Sequence, residues 1–349
     1  VAKIGGDPLS KAICSGVTMS NRSRPIQVVL VYDNEYSFEQ AFDNLLELKG
    51  KLADAVQEFG PWKTLEGLST PSYFGMATNS NFITLQRMDH HMELEGFKVV
   101  LNNPLMAKFK PDQVEALYDH RRAILIEVGC GSVPGFAALF SESKLAGSIG
   151  PLGDLVPGYS EDQVGHEARL KMAQRISCVV TDELAPTAIH WTQSQQLFDA
   201  STFHSLTTQE FPLTLYCGPS IYGGRQLPDG LVQAGVIVVG SDSVLGKIVT
   251  FKPDTQDWQK SYVLCLSFIE YCRLRGRLVE DNETFALEEP DAPVVQVRYQ
   301  NGIPGYDGDY IELSLDGRKT SDMQRKAAPG LTGWLMSKLS EPARPARAQ

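Results

Sequence analysis

Ala188-Ile189-His190-Trp191, followed by Ser194, places an imidazole, an indole and a hydroxyl close together in sequence. A histidine at a strand end, with a serine where the next element starts, is the pattern of a base and the nucleophile it deprotonates. The same residues also suit a plain structural role, Trp191 in the core and Ser194 capping a helix, and that reading is preferred. Cys130 lies between Gly129 and Gly131 just after an apolar run. Flanking amides lower a thiol's pKa when they converge on it, but no base accompanies it, so Cys130 reads as a buried thiol. The six histidines are His90, His91, His120, His166, His190 and His204. Only Asp89-His90-His91 and His166-Glu167 cluster, and adjacent residues on a strand point to opposite faces. The spacings of a helical zinc site are not met. These histidines read as surface residues and no metal is expected. Asp307 and Asp309 flank Gly308 without the remaining ligands of a calcium loop. Tyr222-Gly223-Gly224-Arg225 offers an arginine to an anion, yet reads as a turn. Glu280, Asp281, Glu283, Glu288, Glu289 and Asp291 form an acidic run, a solvated face able to dock a basic partner.

These residues must be held by elements that the rest of the sequence dictates. The chain has 349 residues, 42% hydrophobic and 21% charged, enough for a sizeable core and about two domains. Thirty-two basic against 42 acidic residues leave a formal charge of -10. That field disfavours nucleic acid and anionic membrane surfaces as partners, and no apolar run is long enough to span a bilayer. Ile26–Tyr32 predicts a strand, and Ser37 with Gln40 starts a helix to about residue 58. Phe82–Met88 and Phe97–Leu101 predict strands, Pro111–His120 a helix and Ala123–Val128 a strand. After a Gly/Pro-rich stretch, Gln163–Val180 predicts a helix, Thr187–Trp191 a strand and Ser194–Leu206 a broken helix. Leu213–Cys217, Ala234–Val239 and Lys247–Phe251 follow as strands. Asp254–Arg275 is a helix with Cys265 and Cys272 on one face, and Val294–Tyr299 and Tyr310–Leu315 close the fold. The fold class is α+β, with two β-α-β-β-type sandwich units on mixed or antiparallel sheets. The expected division is a disordered leader at 1–25, one unit at 26–128, a connection at 129–162, a second unit at 163–318 and a frayed segment at 319–349. Met19 is an alternative natural start.

Ile124–Gly135 reads ILIEVGCGSVPG. An apolar strand ending in Glu127, then Gly129 and Gly131 at alternate positions, resembles the first motif of class I S-adenosylmethionine-dependent methyltransferases. The resemblance implies that Glu127, Gly129 and Gly131 hold the cofactor, with Asp154 at the spacing of the ribose-binding carboxylate. Val133 stands where that motif has a third glycine.

A second resemblance covers roughly residues 26–315. It rests on Glu115–Ile126, on Ala188–Trp191 with Ser194, and on Trp258–Leu274 leading to Arg277–Thr284. These segments resemble the bacterial family catalogued as domain of unknown function 4261. The family's glycine after Glu280 is Asn282 here. The resemblance implies an α+β sheet around Ala123–Val128 and brings no activity with it.

The sequence is therefore read as a cytoplasmic, non-catalytic protein-interaction module of accessory or immunity type. Its expected partner is another protein, and it needs no cofactor. Methyl transfer at Glu127–Gly131 is the alternative, and hydrolysis through His190 or Cys130 a third reading.

Overall fold

The β-branched run Ile26–Tyr32 forms strand β1, which is buried almost throughout. It pairs antiparallel with β5 (Arg122–Cys130) on one side and β6 (Ala188–Trp191) on the other, so Val28 stands opposite both Ile126 and Trp191. The computed structural model describes residues 25–33, 45–65, 73–78, 81–130, 163–287, 292–303 and 306–319. With β2 (Lys63–Thr64), β3 (Tyr73–Ala77), β4 (Asn81–Met88) and β7 (Gln196–Phe198), these strands make a seven-stranded sheet in the order β2-β3-β4-β5-β1-β6-β7. Every neighbouring pair in it is antiparallel.

The strands' period of two divides this sheet into two faces. Ile26, Val28, Leu30, Ile83, Leu85, Ile124, Ile126, Ile189 and Trp191 enter the main core. Helices α1 (Leu45–Ala55) and α5 (Gln163–Leu184) supply Leu48, Leu52, Leu170, Ala173, Ile176 and Val180 to that core. Val29, Val31, Ala123, Ala188 and Leu197 face the other way. They are covered by Phe97 and by α2 (Lys98–Leu101), α3 (Pro104–Phe109) and α4 (Pro111–Asp119).

The second sheet has the order β11-β12-β13-β10-β9-β8. Its strands are β8 (Gly218–Gln226), β9 (Val232–Val239), β10 (Ile248–Asp254), β11 (Thr284–Ala286), β12 (Pro293–Ile303) and β13 (Tyr306–Lys319). Pairing is antiparallel except between β10 and β13, which run parallel. Three helices lie along this part of the chain after α6 (Ala200–Thr207): α7 (Leu213–Tyr216), α8 (Ser241–Leu245) and α9 (Trp258–Arg275). Val236, Val238, Val249, Phe251, Val295, Val297, Ile311 and Leu313 join the same main core through α9. The α+β class is as expected, with one antiparallel and one mixed sheet.

Three elements differ from the expectation. Phe97–Leu101 is not a strand but the end of a 3-10 turn followed by α2, with Phe97 and Val100 one turn apart on the buried side. Leu213–Cys217 is the short helix α7 and the residue after it; a five-residue, mostly buried run is too short for its period to tell helix from strand. The helix expected from Ser194 is a turn, then β7, then α6, whose N-cap is Asp199. The Ser37 helix start and residues 131–162 lie outside the described residues. Strands β6 and β7, which follow that stretch, sit in the same sheet as β1–β5, so the first sheet draws strands from both sides of it.

Candidate functional site

β5 carries Glu127 at the centre of a polar row across the first sheet, opposite Thr84 of β4 and Gln27 of β1. Gln27 Nε2 donates to Glu127 Oε1 at 2.6 Å. Burial raises the Glu127 pKa against the hydrogen bonds from Gln27 and Thr84, and burial likewise holds the neighbouring Tyr73 phenol above its usual range. Gly129 continues the strand opposite Phe82, and a Cβ on it would meet the Phe82 ring at 2.3 Å. Its missing side chain thus seats an aromatic ring within the sheet. β5 is antiparallel to both its neighbours, whereas the methyltransferase motif belongs to a parallel strand that feeds a helix. Gly131 and Asp154 lie outside the described residues.

The structure does not assemble His190, Ser194 and Cys130 into one centre. His190 is buried beside the Phe97 ring, 5.4 Å between centroids. Burial lowers its pKa to about 4, with the Gln195 side chain opposing only in part, so the ring is neutral at pH 7. Neither ring nitrogen has a hydrogen-bond partner among the described residues. The Ser194 hydroxyl donates to the Leu215 carbonyl at 2.7 Å, tying the turn after β6 to α7 rather than capping a helix. Cys130 ends β5 opposite Asn81.

The histidines are not uniformly surface residues. His90, His91 and His204 are exposed, while His120, His166 and His190 are buried. His120 is fixed from both sides: its Nδ1 donates to the Leu117 carbonyl at 2.8 Å, and its Nε2 accepts from Met92 N–H at 2.9 Å. Tyr222–Arg225 is part of β8, where a bulge with Gly223 at φ 71° interrupts the pairing to β9; it is not a free turn. Asp309 meets Lys247 Nζ at 3.4 Å. Glu280, Asp281 and Glu283 are exposed and shape a local turn. The Glu283 carboxylate accepts from Glu280 N–H and that of Asp281 from Tyr299 N–H. Asn282 in that turn has φ 65°, the left-handed region in which asparagine is the usual substitute for glycine. Glu288, Glu289 and Asp291 lie outside the described residues, as does the side chain of Asp307. Cys265 and Cys272 are buried and unbridged on α9, as their spacing predicts.

A cluster that the sequence reading did not assemble lies between α5 and α6. Cys178 and Asp182 are one turn apart on α5. His204 projects from α6, whose opposite side is anchored by Phe203 against Trp191 and Phe198. Cys178 Sγ lies 3.7 Å from Asp182 Oδ2 and 3.9 Å from His204 Nδ1, and that Nδ1 lies 3.2 Å from Asp182 Oδ1. Burial raises the Cys178 pKa, the Thr207 hydroxyl lowers it and Asp182 raises it further. A nucleophilic thiolate needs a cationic neighbour. His204 also presents the same nitrogen to both partners, so no proton can be relayed across its ring. The only sequence signal was the Cys178–Asp182 spacing; the histidine is supplied by tertiary packing.

Comparison of the chain with protein-family models, with curated proteins and with solved structures finds no match.

Proposed function

We propose that this protein acts by binding another protein rather than through a reaction centre of its own. Of the residues put forward for catalysis, Ser194 ties down α7, and of those put forward for holding a cofactor, Glu127 takes the Gln27 amide and Gly129 seats Phe82. The observation that carries the reading is the β8–β9 ribbon at the edge of the second sheet. The first part of the β8 edge is covered, with Asn103 Nδ2 donating to the Pro219 carbonyl at 3.2 Å. Beyond the bulge, Arg225 and Gln226 pair with Gln233 and Val232, past the last β10 pairing at Ala234. The tip is a built turn: Gly230 N–H donates to the Leu227 carbonyl, and Leu231 N–H to Asp229 Oδ1. It presents Leu231 and Val232 at 51% and 53% exposure beside the exposed Arg225. An open strand edge with an apolar tip suits addition of a partner's strand, and the whole chain's charge of -10 favours encounter with basic proteins. A cytoplasmic setting goes with this reading, in which Cys178, Cys217, Cys265 and Cys272 stay as thiols.

The test is capture from source lysate on the wild-type chain and on Leu231→Asp, followed by titration of the purified captured protein. A net-basic protein should be retained. Leu231→Asp should weaken it by about tenfold or more, the loss of one interface anchor, with the far-UV circular dichroism unchanged. Empty capture, or equal binding by the variant, overturns the proposal.

A further inference from the structure

Cys178, Asp182 and His204 bring a thiol, a carboxylate and an imidazole to one point between two helices, each offering a single donor atom toward the others. Cys178 Sγ lies 3.7 Å from Asp182 Oδ2 and 3.9 Å from His204 Nδ1, and that nitrogen lies 3.2 Å from the other carboxylate oxygen, Oδ1; with one oxygen taken, the three donor atoms all lie within 4.8 Å of one another. Zinc bonded to sulfur at about 2.3 Å, and to nitrogen and oxygen at about 2.0–2.2 Å, requires tetrahedral edges of roughly 3.3–3.6 Å. The sulfur–nitrogen edge thus already matches such a tetrahedron to within a few tenths of an ångström, and a turn of the Asp182 carboxylate closes the face with one oxygen. The helices fix the geometry: Cys178 and Asp182 share one face of α5, and α6 is held by its Asp199 cap and by Phe203. Thr207 Oγ1 lies 3.4 Å from the sulfur, a second-layer donor of the kind that orients metal ligands. Asp182 and His204 are half-exposed and Cys178 partly so, which gives an ion a path in and leaves the fourth vertex toward solvent.

We infer that Cys178, Asp182 and His204 form a binding site for a divalent transition cation of the zinc class. On binding, the thiol releases its proton to solvent as the sulfur–metal bond forms. Thiolate and carboxylate then balance the two positive charges, and the neutral imidazole supplies the third bond. Three protein ligands with one open position is the arrangement of a site that keeps a water or accepts a donor from outside, unlike a closed structural knot. Such an ion would also pin α6 onto α5, and binding to the folded chain alone raises its stability.

Cobalt(II) is the probe, titrated into the full reduced chain in a thiol-free reductant. The expected result is a sulfur-to-cobalt charge-transfer band with the visible bands of four-coordinate cobalt, saturating at one equivalent and displaced by zinc(II). Cys178→Ser should abolish the charge-transfer band. Asp182→Asn and His204→Ala should weaken cobalt binding by more than the roughly 10–100-fold that losing an outer-layer partner costs. His204 is exposed, so its variant keeps the test valid if a change at Cys178 disturbs α5. No band in the wild-type chain, an equal band in Cys178→Ser, or undiminished binding by His204→Ala overturns the site.

Discussion

His190 stands on β6 opposite Val29 and Leu197, with its ring against Phe97. Its pKa is about 4 in the folded chain against an ordinary 6.5. Between these values the unfolded chain takes up a proton that the folded chain refuses, so stability is complete above pH 6.5 and falls as the pH drops toward 4. The loss across that window is about 3 kcal/mol, at 1.36 kcal/mol per unit. His190→Leu removes the titrating group and two buried nitrogens that have no partner, and should change stability at pH 7 by no more than about 1 kcal/mol. Urea midpoints at steps from pH 7 to 4 should show the wild type losing more stability than the variant. Parallel curves would mean that the ring is reached by solvent. Glu127 works in the other direction. Its raised pKa makes the folded chain the better proton binder, so its contribution declines as pH rises above the usual carboxylate range. A Glu127→Gln background separates the two trends.

Helix α6 starts because Asp199 takes over donors that its first turn leaves unpaired. Oδ1 accepts from Thr202 N–H and Oδ2 from the Thr202 hydroxyl, both at 2.7 Å. Asp199→Ala should cost about 1 kcal/mol in the urea midpoint at pH 7, with Asp199→Asn retaining most of it. Equal losses for both variants would show that the charge matters and the cap does not. The sequence places this helix start five residues early because Ser194 is as good a cap as Asp199, and only the pairing of β7 with β6 decides between them. β1 and β5 were legible to within two residues, since β-branched runs buried on both faces look like little else. Helices α2 and α7 were not, because mostly apolar runs of four or five residues are too short for their period to tell helix from strand. The cation cluster was less legible still. Cys178 and Asp182 share a helical face in sequence, but their distance to His204 exists only once α6 has packed.

The two sheets share one interior. Ile126 and Trp191 of the first belong to the same continuous core as Val249 and Leu313 of the second, with α5 and α9 contributing between them. Arg273 of α9 reinforces the join, donating to Glu167 of α5 at 3.0 Å and to Glu270 at 2.7 Å, with its guanidinium over the Phe211 ring. Tyr216 of α7, packed against the same Phe211 ring, hydrogen-bonds Gln174 of α5. A molecule built this way should open as a unit, although its sequence, divided by a Gly/Pro-rich stretch, reads as two. Ile176 on α5 is fully buried in this core, so Ile176→Ala should cost about 2–5 kcal/mol. Native-state hydrogen exchange shows where that cost is felt. In a single cooperative unit the slowest amides of β1 and β5 and those of β10 and β13 lose the same opening free energy. If α5 serves the first sheet alone, β1 and β5 will speed up while β10 and β13 exchange as before, and the sheets are separate folding units. The paired sheets, the Arg273–Glu167 link and the common core all favour equal loss.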